Sequence, residues 1–239
     1  MQQVKAATVF ALLLMTLCSC ENSFIERQNQ TTPADKVIAN PPSDGPGGVV
    51  TNPGGQPYPT ITKQTFIPEY SLWAQKKTLT WRIEWPNYPV GTDPNTIPTV
   101  FTLSNGALNS FDFLNGQPAS TTYKTHFNLY HNAKLERSSD LWDELTHSFG
   151  HGDQMEFVSF SRFTTTIKGL ENMVKNRPGL FETYWTGITE DSPEYQQGDI
   201  FLIKVSNVTD PTTPSRYGGI RIVSMMPRII EVYLAVPND

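Results

Sequence analysis

The sequence predicts a mainly β fold, an antiparallel β-sandwich or barrel-like domain that carries two short helices. Three observations point there. Leu79, Trp81, Ile83 and Trp85 alternate with Thr78, Thr80, Arg82 and Glu84, the period of two that marks a half-buried strand. The last third of the chain holds three apolar runs, Ile200–Val205, Gly219–Met225 and Ile229–Val236, apolar in places on both faces, as central strands are. Met226-Pro227 leaves only a tight connection between the last two, and consecutive strands joined that way pair antiparallel.

Residues 1–19 read as a signal peptide: Lys5 precedes the apolar run Ala6–Leu17. That run is shorter than the ~20 residues a membrane-spanning helix needs, and a basic start with a short apolar core describes a secretory signal. Leu17-Cys18-Ser19-Cys20 resembles a bacterial lipobox. The resemblance implies cleavage before Cys20 and acylation of its sulfur, a palmitate-type anchor in the cell envelope. Two or three acyl chains, at ~0.8 kcal/mol per buried CH₂, hold firmly where one does not. Glu21 follows the cysteine where inner-membrane retention favours Asp, so an outer-membrane lipoprotein is expected. Removal of Cys18 leaves Cys20 alone, which excludes an internal disulfide and a thiolate nucleophile.

Residues 20–60 read as the lipidated cysteine and a disordered tether. Seven prolines and five glycines lie among residues 27–60, and such a segment buries too little apolar area to offset its ordering entropy. Extended at ~3.1 Å per residue, it spans up to roughly 100 Å. Residues 61–239 suit one β-rich globular domain. The net charge is −5, and acids and bases are scattered without the basic stripe on which nucleic-acid binding rests.

Within the domain, Thr78–Trp85 is followed by shorter strand candidates, Thr99–Leu103, Ser110–Leu114, Tyr123–Tyr130 and Glu156–Ser161. Asn115-Gly116 is a hairpin-type turn by composition, since both residues tolerate positive φ. One helix is expected over Asp140–Phe149, with Leu141, Leu145 and Phe149 on one face and Ser139 or Asp140 as cap. The other is expected over Ile167–Asn176, opened by Thr166, with Ile167, Leu170, Met173 and Val174 facing inward and Arg177-Pro178-Gly179 ending it.

Two of the four histidines, His147 and His151, stand at i and i+4. On a continuous helix they share a face, as in zinc-binding H-E-x-x-H sequences, which makes them the candidate metal or haem ligands. No glutamate adjoins His147, and Gly150 stands where a left-handed residue ends a helix. A histidine in the last turn suits the helix dipole without any metal, and that reading is preferred. In Y-K-T-H-F-N-L-Y-H-N, strand alternation places Tyr123, Thr125, Phe127 and Leu129 on one face and His126 on the other, exposed, face; His131 falls in the next loop.

The chain carries no G-x-S-x-G, P-loop, H-E-x-x-H or calcium-loop pattern. Acidic groups such as Asp140, Asp143 and Glu144, or Glu190, Asp191 and Glu194, supply carboxylates, but glycoside chemistry requires a pair at roughly 5–10 Å. Trp73, Trp81, Trp85 and Trp185 offer a stacking platform for a sugar or porphyrin, with core packing preferred for Trp81 and Trp85.

Asp199–Lys204, then Arg216–Ser224, and a closing strand through Tyr233 are similar to the end of HmuY-like haem-binding lipoproteins of the Bacteroidetes envelope. The resemblance, which the lipobox joins, implies a mainly β, lipid-anchored protein. The loop Ser206–Ser215 is longer than the family's turn, and no functional residue carries over. The expected function is non-catalytic binding of a small molecule or an envelope partner, without cofactor and without nucleic acid. Haem or metal capture through histidines, a glycan-active hydrolase, and a structural lipoprotein without ligand are the alternatives.

Overall fold

The computed structural model describes residues 35–38, 51, 54–70, 74–116, 125–129, 133–137, 156–207 and 210–238. All belong to the compact unit Thr32–Asp239. The strands are β1 (Asp35–Ile38), β2 (Thr60–Phe66), β3 (Lys76–Glu84), β4 (Val100–Phe101), β5 (Leu108–Asn109), β6 (Phe127–Asn128), β7 (Glu136–Arg137), β8 (Glu156–Arg162), β9 (Ile200–Asn207), β10 (Arg216–Met225) and β11 (Arg228–Pro237). Among the described residues, three α-helices accompany them: α1 (Phe111–Asn115), α2 (Ile167–Lys175) and α3 (Leu180–Thr183).

The expected antiparallel β architecture is present, as a sandwich rather than a closed barrel. A large sheet runs β1-β2-β3-β11-β10-β9-β8, and a small one β5-β4-β6-β7. The chain enters the large sheet through β1, β2 and β3, leaves to build the small sheet, and returns at the far edge as β8. Its final strand β11 then fits between β3 and β10.

The period of two decides what lies between the layers. Ile61, Trp81, Ile83, Val232, Leu234, Ile220, Ile203 and Phe160 point from the large sheet to one side. There they meet Phe101, Leu108, Phe127 and Leu129 of the small sheet and its connections. Ring centroids step across the interface from Trp81 to Phe101 (5.7 Å), Phe127 (5.6 Å) and Phe160 (5.9 Å). Trp81 and Trp85 are fully buried, so they are core residues and not a stacking platform.

Helices α2 and α3 cover the opposite face of the large sheet. Leu170, Met173, Val174 and Phe181 bury against Ile200, Leu202, Tyr233 and Ala235. Helix α2 matches its expected span; the Thr166 side chain accepts from Gly169 N at 3.0 Å as the N-cap. Ile167, expected on the buried face, is instead more than half exposed. Helix α3 follows Pro178 and Gly179 directly, a single turn with Gly179 at its N-cap.

Three further expectations are corrected. Ser110–Leu114, read as a strand, begins with an N-cap: Ser110 accepts from Phe113 N at 3.1 Å and starts α1. The capping bond outweighs the β preference of the two phenylalanines. Asn115-Gly116 is therefore the end of that helix, with Gly116 at φ −77°, and not a hairpin turn. Finally, Asp35–Ile38, inside the segment read as a tether, pairs antiparallel with Thr60–Lys63 as an edge strand. Close to the domain boundary, Pro57 O accepts from Tyr88 at 3.0 Å and Tyr58 packs on the core.

Candidate functional site

Cys20, His131, His147 and His151, and the helix expected over 140–149 with its carboxylates, lie outside the described residues. His126 does not stand on an exposed face; it is 1 % exposed. The face assigned to solvent is covered by the start of β8 and the end of β4. His126 Nδ1 accepts from Leu103 N at 3.2 Å, and Nε2 lies 2.9 Å from Glu156 Oε2. An acceptor role at Nδ1 places the proton on Nε2, which donates to the carboxylate. Arg216 Nη2 reaches the other oxygen, Glu156 Oε1, at 2.6 Å. The hydrogen bond from His126 and the Arg216 guanidinium hold the Glu156 carboxyl below its ordinary range, against partial burial. With both ring nitrogens engaged, this histidine is a structural bridge between the sheets.

The acidic group near residue 190 is likewise spent on ion pairs. Glu190 accepts from Arg162 N at 3.0 Å, and the Arg162 guanidinium reaches Asp199 at 2.7 Å and Glu194 O at 2.8 Å. Asp191 pairs with Arg137 at 2.8 Å. Among the described residues, no group of three or more His, Cys, Asp or Glu side chains is arranged to hold a metal.

A hollow of about 160 Å³ opens on the helix-covered face of the large sheet, between α2 and strands β2, β3, β11 and β10. Cross-strand register builds its floor. Gln64, Thr80 and Tyr233 stand in one row, and Arg82, Glu231 and Arg221 in the next. All six side chains project to the helix side by strand alternation. Glu171, Val174 and Lys175, spaced i, i+3 and i+4 on α2, form the opposite wall, and Phe66 closes one end.

Glu231 is the electrostatic pivot. Its Oε1 accepts from Arg82 Nη1 at 2.7 Å, and its Oε2 from Tyr233 OH at 2.5 Å and from Arg221 Nη1 at 3.4 Å. Burial above all, and then the Glu231 charge, raises the Tyr233 phenol far above its ordinary value. Tyr233 is therefore a fixed donor. Both Glu231 oxygens are committed, which leaves the carboxylate poorly placed to transfer a proton to or from a ligand.

The remaining groups are uncommitted. Arg221 makes a long bond to Glu231 and lies beside the Tyr233 hydroxyl, and guanidinium carries five N–H donors, so part of its edge is left over. No hydrogen bond or ion pair within the described residues ends on the side chains of Gln64, Glu171 or Lys175. Thr80 is 6 % exposed and lines the hollow, yet its Oγ1 has no partner. A buried hydroxyl without a partner costs about 1–3 kcal/mol, and such a group calls for a specific explanation.

The sequence pointed elsewhere for this site. Thr80 and Arg82 alternate with Leu79, Trp81 and Ile83, so they read as the solvent side of a half-buried strand. Thr78 is in fact fully buried and Thr80 nearly so. The available clue was the helix expected at 167–176, an amphipathic element that needs a sheet face to cover. The chain matches no protein-family model, and no curated protein or solved structure matches it.

Proposed function

We propose that this chain is a lipid-anchored envelope protein whose β domain binds a small molecule, without chemistry, in the hollow between α2 and the large sheet. The observation that carries the binding reading is Thr80 Oγ1, a buried, unpartnered hydroxyl in the floor of a concavity walled by uncommitted polar side chains. Convergent polar groups with an apolar wall, here Phe66 and Val174, are the usual make-up of a ligand pocket. The hollow is smaller than the roughly 300–1,000 Å³ of drug-sized sites, so it suits a compact ligand. The signal-like start and the lipobox-like Leu17–Cys20 support the envelope setting, as does the ending that resembles HmuY-like lipoproteins.

Two experiments test the two halves. Fragment screening by protein-observed NMR is expected to give saturable shifts at Gln64, Thr80, Lys175 and Arg221, and Thr80→Val is expected to abolish them while leaving thermal stability equal or higher. Hits that map only elsewhere, or stability lost in T80V, would refute the binding site. For the anchor, metabolic labelling with a palmitate analogue is expected to mark the wild type and not Cys20→Ser; equal labelling of both would refute it.

A further inference from the structure

We infer that the hollow selects a small organic carboxylate with a short apolar tail, an inference that rests on reading the hollow as a binding site. The bond count favours an anion. The charges lining the hollow balance, Arg221 and Lys175 against Glu171 and Glu231, and Arg82 pairs with Glu231 from beside it. Glu231 is already consumed, because its oxygens accept from Arg82, Arg221 and Tyr233. What remains to meet a ligand is rich in donors: the free edge of the Arg221 guanidinium, the Lys175 ammonium, the Thr80 hydroxyl and the Gln64 amide. Glu171 is the one uncommitted carboxylate lining the hollow, and it stands on the helix wall.

Geometry separates a carboxylate from other anions. Arg221 keeps one nitrogen on Glu231, and the fork left over matches two coplanar oxygens, the bidentate arrangement that carboxylates accept. Phe66 and Val174 border the same space and give an apolar tail a surface that a bare inorganic anion cannot use. The volume of about 160 Å³ is close to that of the ~150 Å³ apolar cavity that takes benzene, so the ligand is of benzoate size. Arg221 and Lys175 are the positioning cations, and Thr80 Oγ1 is the floor contact that gains its missing bond.

The test uses the full chain with benzoate, its neutral analogue benzyl alcohol, and inorganic phosphate, followed by saturation-transfer and protein-observed NMR. Benzoate is expected to bind saturably at the hollow, at least fivefold tighter than benzyl alcohol, and to weaken as salt rises. Arg221→Gln is expected to weaken benzoate at least tenfold and Lys175→Gln at least threefold, with Lys168→Gln, outside the hollow, unchanged. Lys175 is exposed, so that variant stays informative even if R221Q folds poorly. Equal binding of benzoate and benzyl alcohol in the hollow would overturn the carboxylate inference and leave the binding site standing. Displacement of benzoate by an equal concentration of phosphate would overturn it in favour of a plain anion site. Absence of all three probes from the hollow would overturn the inference and the site together.

Discussion

His126 Nε2 lies 2.9 Å from Glu156 Oε2, and this contact ties the small sheet to the edge strand of the large one. The imidazole is buried and satisfied on both sides, by Leu103 N and by Glu156. Replacing it by alanine strands the Leu103 N–H and leaves Glu156 with Arg216 alone. His126→Ala is expected to destabilise the domain by about 2–3 kcal/mol, since each buried group left unpaired costs ~1–3 kcal/mol. Urea unfolding measures it; a loss below 0.5 kcal/mol, about the scatter of ordinary surface substitutions, would mean the bridge is dispensable.

The same bridge makes stability depend on pH. The Glu156 carboxyl is lowered in the folded protein, chiefly by the His126 hydrogen bond and further by Arg216. A lowered carboxylate stabilises the fold above its unfolded value, about 4.3, and that contribution disappears as pH falls through the folded value. Glu156→Gln is expected to be less stable than wild type at pH 7, with the gap closing from about pH 4.3 downward. Paired urea titrations between pH 7 and pH 3 give the answer; a gap that holds constant or widens on acidification contradicts the assignment.

Gly106 supports the other end of the core. Its φ is +74°, and a Cβ there would sit 2.2 Å from Trp81 Nε1. Left-handed backbone at a non-glycine residue and overpacking each cost about 1–3 kcal/mol. Gly106→Ala is therefore expected to cost about 3 kcal/mol and to shift Trp81 emission, because Trp81 is fully buried. An unchanged melting temperature would show that the loop relaxes freely.

Helix α2 roofs the hollow and depends on its cap. Thr166 accepts from Gly169 N at 3.0 Å. Thr166→Ala is expected to destabilise by ~1 kcal/mol, the usual worth of such a cap. Denaturant midpoints check this, and hydrogen exchange at Leu170–Val174 is expected to accelerate with it. Faster exchange without a stability change would instead place the roof outside the cooperative unit.

How far the residues could be read in advance follows from how local each signal is. Strand β3 was legible because T-L-T-W-R-I-E-W repeats its own pattern within eight residues, and α2 because Thr166 and Arg177-Pro178-Gly179 bracket its apolar face. Strand β2 was not, since T-I-T-K-Q-T-F places its two large apolar residues, Ile61 and Phe66, on opposite faces. Helix α1 turned on one side-chain bond from Ser110 that competes with two β-favouring phenylalanines.

By itself the sequence determined the β class, the antiparallel pairing of the last strands and the limits of α2, all set by backbone sterics and side-chain period over a few residues. Only the tertiary structure decided that His126 is buried, that the second face of β3 is roofed, and that Thr80, Arg221 and Lys175 share one hollow. Thr80 and Arg221 are brought near each other by β11, which inserts between β3 and β10. Lys175 arrives from a helix that returns over the same face. Such contacts are chosen by where apolar area from distant segments is buried together, a property of the whole chain that no local pattern encodes.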